Sequence, residues 1–177
     1  MKLLKTIRAD PSDTFVFEVA AEPGEWAVSG AFMFARLDPA ALTGKARAAF
    51  RAGFLGISSF GWSTLVQVVA ATDAEHTAAV ETLAAQLVAH CGAPDIATAR
   101  RAAAEEIAFA ASLCAQPRGT LAAVSRRAED GNVREVFRTL APRLAAPGIQ
   151  PFAFLDAVDD DPTEQIDLKD FVTGERR

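Results

Sequence analysis

The segment Gly53-Phe54-Leu55-Gly56-Ile57-Ser58-Ser59-Phe60-Gly61-Trp62-Ser63 holds the residue types best suited to bind a small anion. Its glycines leave backbone amides accessible, and the hydroxyls of Ser58 and Ser59 add donors. Arg47 and Arg51 lie just upstream in sequence. With Trp26, Ser29, Arg36 and Trp62 the set would give aromatic walls, a few hydroxyls and a fixed cation, which is what a small-ligand pocket needs. The spacing is not that of a phosphate loop, because Gly-x-x-x-x-Gly-Lys-[Ser/Thr] is absent. Nor is it a nucleophile elbow, since Gly-Ile-Ser-Ser-Phe-Gly does not match Gly-x-Ser-x-Gly. The plainer reading, which the residues favour, is a helix-to-strand connection whose glycines allow tight turns and whose aromatics join the core.

The remaining reactive side chains are too scattered to build a catalytic centre, and no catalytic residue is assigned. His76 and His90 fall on one predicted helix, roughly 21 Å apart along its axis at 1.5 Å per residue, so they cannot share a metal. His90 sits in the last turn, where the helix dipole favours a cation. Cys91 and Cys114 fall at opposite ends of a predicted helical hairpin and can form neither a disulfide nor a zinc site. The acidic run Asp156, Asp159, Asp160 and Asp161 lacks the EF-hand pattern and reads as a solvated tail. The sequence therefore implies no metal and no cofactor. Arg126, Arg127, Arg134 and Arg138 form one basic cluster around the Asp130-Gly131 turn. It has two readings: a positive patch for an acidic partner or a second copy, or charges that guard a sheet edge against aggregation.

Composition narrows the function classes. The formal net charge of −5 argues against a nucleic-acid binder, whose affinity rests on neutralising phosphates. Twelve Phe and two Trp stand against no Tyr, so the rings suit packing rather than hydrogen bonding. Arg outnumbers Lys by 14 to 4, the usage of a GC-rich bacterial genome. Lys5 and Arg8 interrupt the apolar N-terminus, so neither a signal peptide nor a membrane span is expected. Two unpaired cysteines fit a reducing cytoplasm.

The elements that must position these residues follow from punctuation and periodicity. Leu3, Leu4 and Ile7 open a strand, and the turn Asp10-Pro11-Ser12-Asp13 precedes a second strand over 14–19. A third strand is expected over 26–37. Asp38-Pro39 starts a helix to about Ala52, and a long strand, rich in β-branched residues, covers 62–71. Alternation along it places Trp62, Thr64, Val66 and Val68 on one face, toward the helices. Thr72-Asp73-Ala74-Glu75 is a capping box that starts a helix ending at Cys91 before Gly92, and Asp95 caps another to about Ala115. The short link between them predicts an antiparallel helix pair. A strand over 120–128 leads to the turn Glu129-Asp130-Gly131-Asn132. The next stretch reads as the second arm of a hairpin, although Val133, Val136, Phe137 and Leu140 also have helical spacing. A last strand is expected over 152–158.

Several stretches carry a family likeness. They are Leu-Leu-Lys-Thr-Ile-Arg, Asp-Thr-Phe-Val-Phe-Glu, Pro-Gly-Glu-Trp-Ala-Val-Ser-Gly, Phe-Leu-Gly-Ile-Ser-Ser-Phe-Gly-Trp-Ser-Thr and Glu-Asp-Gly-Asn-Val-Arg-Glu-Val-Phe-Arg-Thr-Leu. Together they resemble a small alphaproteobacterial family of uncharacterised proteins, over nearly the whole chain. The resemblance implies one cytoplasmic domain and no particular activity. The sequence thus predicts an α+β fold: a mostly antiparallel sheet with an antiparallel helix pair packed on one face. Residues 1–158 form the domain and 159–177 an acidic tail. The expected function is that of a non-enzymatic accessory or interaction protein, with small-anion binding or catalysis around residues 53–63 as the alternative.

Overall fold

A computed structural model describes residues 1–129 and 132–140 of the 177-residue chain. The fold is α+β. Among the described residues seven strands form one antiparallel sheet in the order β4-β3-β2-β1-β5-β6-β7. They are β1 (Lys2–Ile7), β2 (Trp26–Val28), β3 (Phe54–Gly56), β4 (Trp62–Ser63), β5 (Leu65–Ala70), β6 (Leu121–Glu129) and β7 (Asn132–Leu140). Among the described residues four α-helices accompany them: α1 (Ser12–Val16), α2 (Gly44–Ala52), α3 (Asp73–Cys91) and α4 (Ile96–Ser112). Among the described residues no helix is long and apolar enough to cross a membrane. The strand expected over 152–158, the tail 159–177 with its carboxylates, and the turn residues Asp130 and Gly131 lie outside the described residues.

The predicted helix pair forms where its caps place it. Thr72 and Glu75 exchange both capping-box hydrogen bonds, and Gly92 ends α3 in the left-handed conformation. The Asp95 side chain accepts from the Thr98 amide and starts α4. Leu83, Ala84 and Leu87 of α3 and Ala99, Ala103, Ile107 and Ala110 of α4 are buried. The two helices pack on each other, and α4 lies against β1 and β2. Val88 near the end of α3 and Ile96 at the start of α4 are exposed.

One residue forces the sheet to curl. Thr64 alone joins β4, at the sheet edge, to β5, which pairs with β1. The two strands can be consecutive only if the sheet bends until β4 approaches β1. Ser63 Oγ accordingly donates to the Ile7 carbonyl at 3.2 Å and to the Leu65 carbonyl at 2.9 Å. The expected strand over 62–71 is therefore two strands. The register also separates Trp62 from Val68, with which alternation alone would group it. Trp62 pairs with Leu55 and Leu55 with Val28, whereas Val68 pairs with Leu4 and Leu4 with Ala27. Directly paired residues share a face and Ala27 and Val28 are neighbours, so Trp62 faces opposite to Val68.

Three other expectations are corrected. Residues 14–19 do not form a strand. Asp10 Oδ1 accepts from the Ser12 amide at 2.7 Å and the Thr14 hydroxyl donates to the Pro11 carbonyl at 2.6 Å, which winds the chain into α1. The strand from Trp26 stops at Val28, because Gly30 takes φ +78° and turns the chain into a 3-10 helix over Ala31–Phe34. The helix expected over 38–52 is split. Asp38 caps only a 3-10 turn over Pro39–Ala41, and α2 starts afresh at Gly44, where φ is +53°.

Candidate functional site

The hairpin of β6 and β7 carries the buried Arg126 on one face and a row of exposed arginines on the other. Its strands pair from Leu121↔Leu140 to Glu129↔Asn132. Side chains alternate along a strand, so adjacent residues leave the sheet on opposite sides. Val124 with Phe137 and Arg126 with Glu135 form inward pairs; Arg127 with Arg134 and Ser125 with Val136 form outward ones.

Arg126 is 1 % exposed. Its Nε donates to Glu135 Oε1 at 2.6 Å. Nη1 donates to the carbonyls of Gly53 at 2.7 Å and Phe50 at 3.1 Å, at the C-terminal end of α2. Nη2 donates to the Ser29 carbonyl and to Ser29 Oγ. A cation at a helix C-terminus meets the negative end of the dipole and satisfies carbonyls that the helix leaves unpaired. The Ser29 hydroxyl in turn donates to Glu135 Oε1 at 2.6 Å. One guanidinium thus ties α2, the end of β2 and β7 together. Burial lowers the Arg126 pKa, and the bond to Glu135 opposes that shift.

Glu106 of α4 sits close enough to this group to feel it. Burial, helped by the charges of Glu135 and Glu105, pushes its carboxyl up to about 7, while Arg126 pulls the other way. Among the described residues the Arg126 ion pair itself is with Glu135 alone.

The outer face differs. Arg127 and Arg134 are exposed and directly opposite each other. Arg134 meets Glu129 at 3.4 Å, with both side chains about half or more exposed. Arg138 is exposed and lies on the same face, since it pairs with Ala123. The four arginines grouped by sequence are therefore two sets: Arg127, Arg134 and Arg138 outside, Arg126 inside.

The residues expected around 53–63 are placed as follows. Glu25 is the anion on the glycine-serine segment. Its carboxylate accepts from the amides of Ser58 at 2.7 Å and Ser59 at 2.8 Å, from the Ser59 hydroxyl, and from the Glu22 amide at 2.7 Å. Ser29 is held by Arg126 and Glu135. Trp62 packs against the core, its ring 5.3 Å from that of Phe34. Trp26 is half-buried under Lys5, whose Nζ lies 4.3 Å from the ring centroid. Arg36, Arg47 and Arg51 are exposed. A hollow of about 90 Å³ opens at the Thr64 corner, lined by Ile7, Asp10, Asp13 and Thr64 among others, and none of the eight candidate residues lines it. Ligand pockets usually hold several hundred Å³.

Sequence reasoning missed Asp13, Glu25 and Glu135. Asp13 is buried and accepts from the Thr64 amide at 3.2 Å and the Thr64 hydroxyl at 2.5 Å, which pins the corner between β4 and β5. Strand alternation was the available signal for Arg126 and Glu135, because it sets Arg126 apart from Arg127. The thiols are not activated. Burial pushes Cys114 up to about 11 and raises Cys91 as well. His90 stacks on Phe60 with centroids 5.0 Å apart. Among the described residues no group of three or more His, Cys, Asp or Glu is placed to hold a metal.

The model of one protein family matches residues 1–160, most of the chain. The chain belongs to the family of unknown function DUF6505. No curated protein and no solved structure matches it. The family's matched span contains both faces of the hairpin and the Glu25 turn.

Proposed function

We propose that this protein is a non-enzymatic interaction protein of the bacterial cytoplasm that contacts an acidic partner through the outer face of the β6–β7 hairpin. One observation carries the reading: Arg127 and Arg134 are exposed and directly opposed across the ladder, with Arg138 on the same face. Like charges directly opposite one another destabilise a sheet, and a long exposed ion pair such as Glu129–Arg134 offsets little. An acidic ligand would relieve that repulsion. The groups that could have served a small anion are already engaged: Glu25 takes the Ser58 and Ser59 amides, and Arg126 takes Ser29.

The test is fluorescence anisotropy of a labelled hexaglutamate peptide titrated with the full chain at low and at physiological salt. Binding that weakens with salt and is lost in Arg127→Ser/Arg134→Ser supports the reading. Equal binding by that variant and the wild type overturns it. Sedimentation of the same samples distinguishes a second copy as partner, which would give a concentration-dependent dimer sensitive to the same substitutions.

A further inference from the structure

The sheet ends on two unequal edges: β4 has two residues and β7 has nine. Natural sheets keep an edge harmless with short strands, prolines or bulges. β7 uses none of these. It contains no proline, and its nine residues pair with β6 one for one. Among the described residues β6 is its only strand neighbour.

The register fixes which backbone groups the edge offers. Only two positions separate Glu129 from Asn132, so that pair exchanges both backbone hydrogen bonds. Alternation then turns the N–H and C=O groups of Arg134 and Val136 toward β6, and those of Val133, Glu135 and Phe137 toward the edge. The strand is also held in place from inside. The Glu135 carboxylate accepts from Arg126 Nε and from Ser29 Oγ, both at 2.6 Å. A template fixed before binding loses little freedom when a partner arrives.

Side chains beside the edge select what pairs there. Arg134 stands on the outer face with Arg127 across from it and the exposed Val136 next to it. An incoming antiparallel strand sets alternate side chains against Arg134 on the outer face and against Phe137 and the exposed Val133 on the inner one. Acids suit the first set of positions and apolar residues the second. A second copy of β7 would bring its own Arg134 to the same face, which repulsion between like charges disfavours.

We propose that β7 accepts, as an added antiparallel strand, an extended segment of a partner protein in which acidic and apolar residues alternate. Resting on the interaction reading, this gives the acidic partner its conformation: main-chain hydrogen bonds supply affinity and the arginines select the sequence.

The experiment titrates the full chain against two labelled peptides, one alternating valine and glutamate and a twin methylated at the valine nitrogens. Directly paired residues share a face, so the valines are the residues whose N–H groups meet β7. The twin keeps the charge and loses those donors. The plain peptide should bind about tenfold more tightly than the twin and slow hydrogen exchange at the Glu135 and Phe137 amides. Equal binding of the two overturns strand addition; if Arg127→Ser/Arg134→Ser abolishes both, the acidic-partner surface itself stands. Failure of both peptides and of hexaglutamate to bind overturns the surface reading and the added strand together. In the free chain the Glu135 and Phe137 amides should exchange faster than those of Arg134 and Val136. Equal protection of all four overturns the proposal, and protection that fades on dilution assigns the edge to a second copy instead.

Discussion

Arg126 and Arg127 are consecutive on β6 and leave the sheet on opposite sides. One is buried against the C-terminal carbonyls of α2, and the other stands in solvent across from Arg134. The same residue type thus does two jobs one position apart. Inside, it joins three elements that are distant in sequence. Outside, it stands exposed with Arg134 directly across the ladder.

The inner arginine gives the first prediction. Arg126→Met removes hydrogen bonds to Ser29, Phe50, Gly53 and Glu135 and leaves the partly buried Glu135 carboxylate without its cation. Breaking one side of a buried pair typically costs about 3–5 kcal/mol. A urea melt of Arg126→Met should show a loss of that size. Arg127→Met should melt within about 0.5 kcal/mol of the wild type, as surface substitutions do. Similar midpoints for the two variants would refute the inside–outside assignment.

Glu106 gives a pH dependence with a definite sign. Its carboxyl is raised from 4.5 to about 7 in the folded chain. Between those values the folded state holds a proton that the unfolded state has released, so stability falls as pH rises from about 4.5 to about 7 and is flat above. Glu106→Gln should remove that slope. At pH 8 it should be the more stable protein by on the order of 1–2 kcal/mol, a figure reduced for the side chain's partial contact with water. Thermal melts from pH 5 to 8 decide the matter. A wild-type Tm rising across that window would contradict the assignment.

The internal anion of the glycine-serine segment can be withdrawn. Glu25→Ala leaves the amides of Ser58 and Ser59 and the Ser59 hydroxyl without their acceptor. Orphaned donors of this kind cost about 1–3 kcal/mol where water cannot replace the partner. Hydrogen exchange at the Ser58 and Ser59 amides should accelerate before any global loss of protection appears. Unchanged protection at those two amides would mean that the carboxylate does not hold the loop.

What was legible in the sequence follows the range of the forces involved. The α3–α4 pair could be read because Thr72, Glu75, Gly92 and Asp95 act within four residues of the ends they fix. The β6–β7 hairpin could be read from its turn chemistry. Residues 14–19 misled because Phe15, Phe17 and Val19 alternate as in a strand, while the chain turns on Asp10 and Thr14 and buries only Phe17 of the three. The break at Thr64 depends on Asp13, fifty-one positions away, and the role of Arg126 on carbonyls more than seventy positions away. Such partners have no local pattern. The basic cluster was visible as four arginines, but its division into two faces required the alternation to be applied residue by residue.

The last prediction concerns Trp62 and the two glycines beneath it. A Cβ built on Gly53 would lie 2.8 Å from the Trp62 ring, and one on Gly30 would lie 2.8 Å from the ring and 2.7 Å from Leu55 Cβ. Gly30 also has φ +78°, which L side chains rarely adopt. The indole therefore fills space that only glycines leave open, next to Phe34 and the buried Phe50. Trp62→Ala should cost about 3 kcal/mol, the low end for a large aromatic, because the ring is only partly buried. Gly53→Ala should destabilise through the clash with the ring, and Trp62→Ala should relieve part of that effect. A double-mutant cycle in urea measures the coupling directly. Gly30→Ala should stay destabilising in either background, because its backbone strain and its contact with Leu55 do not depend on the indole. Strict additivity of Gly53→Ala with Trp62→Ala would show that the ring does not pack on Gly53.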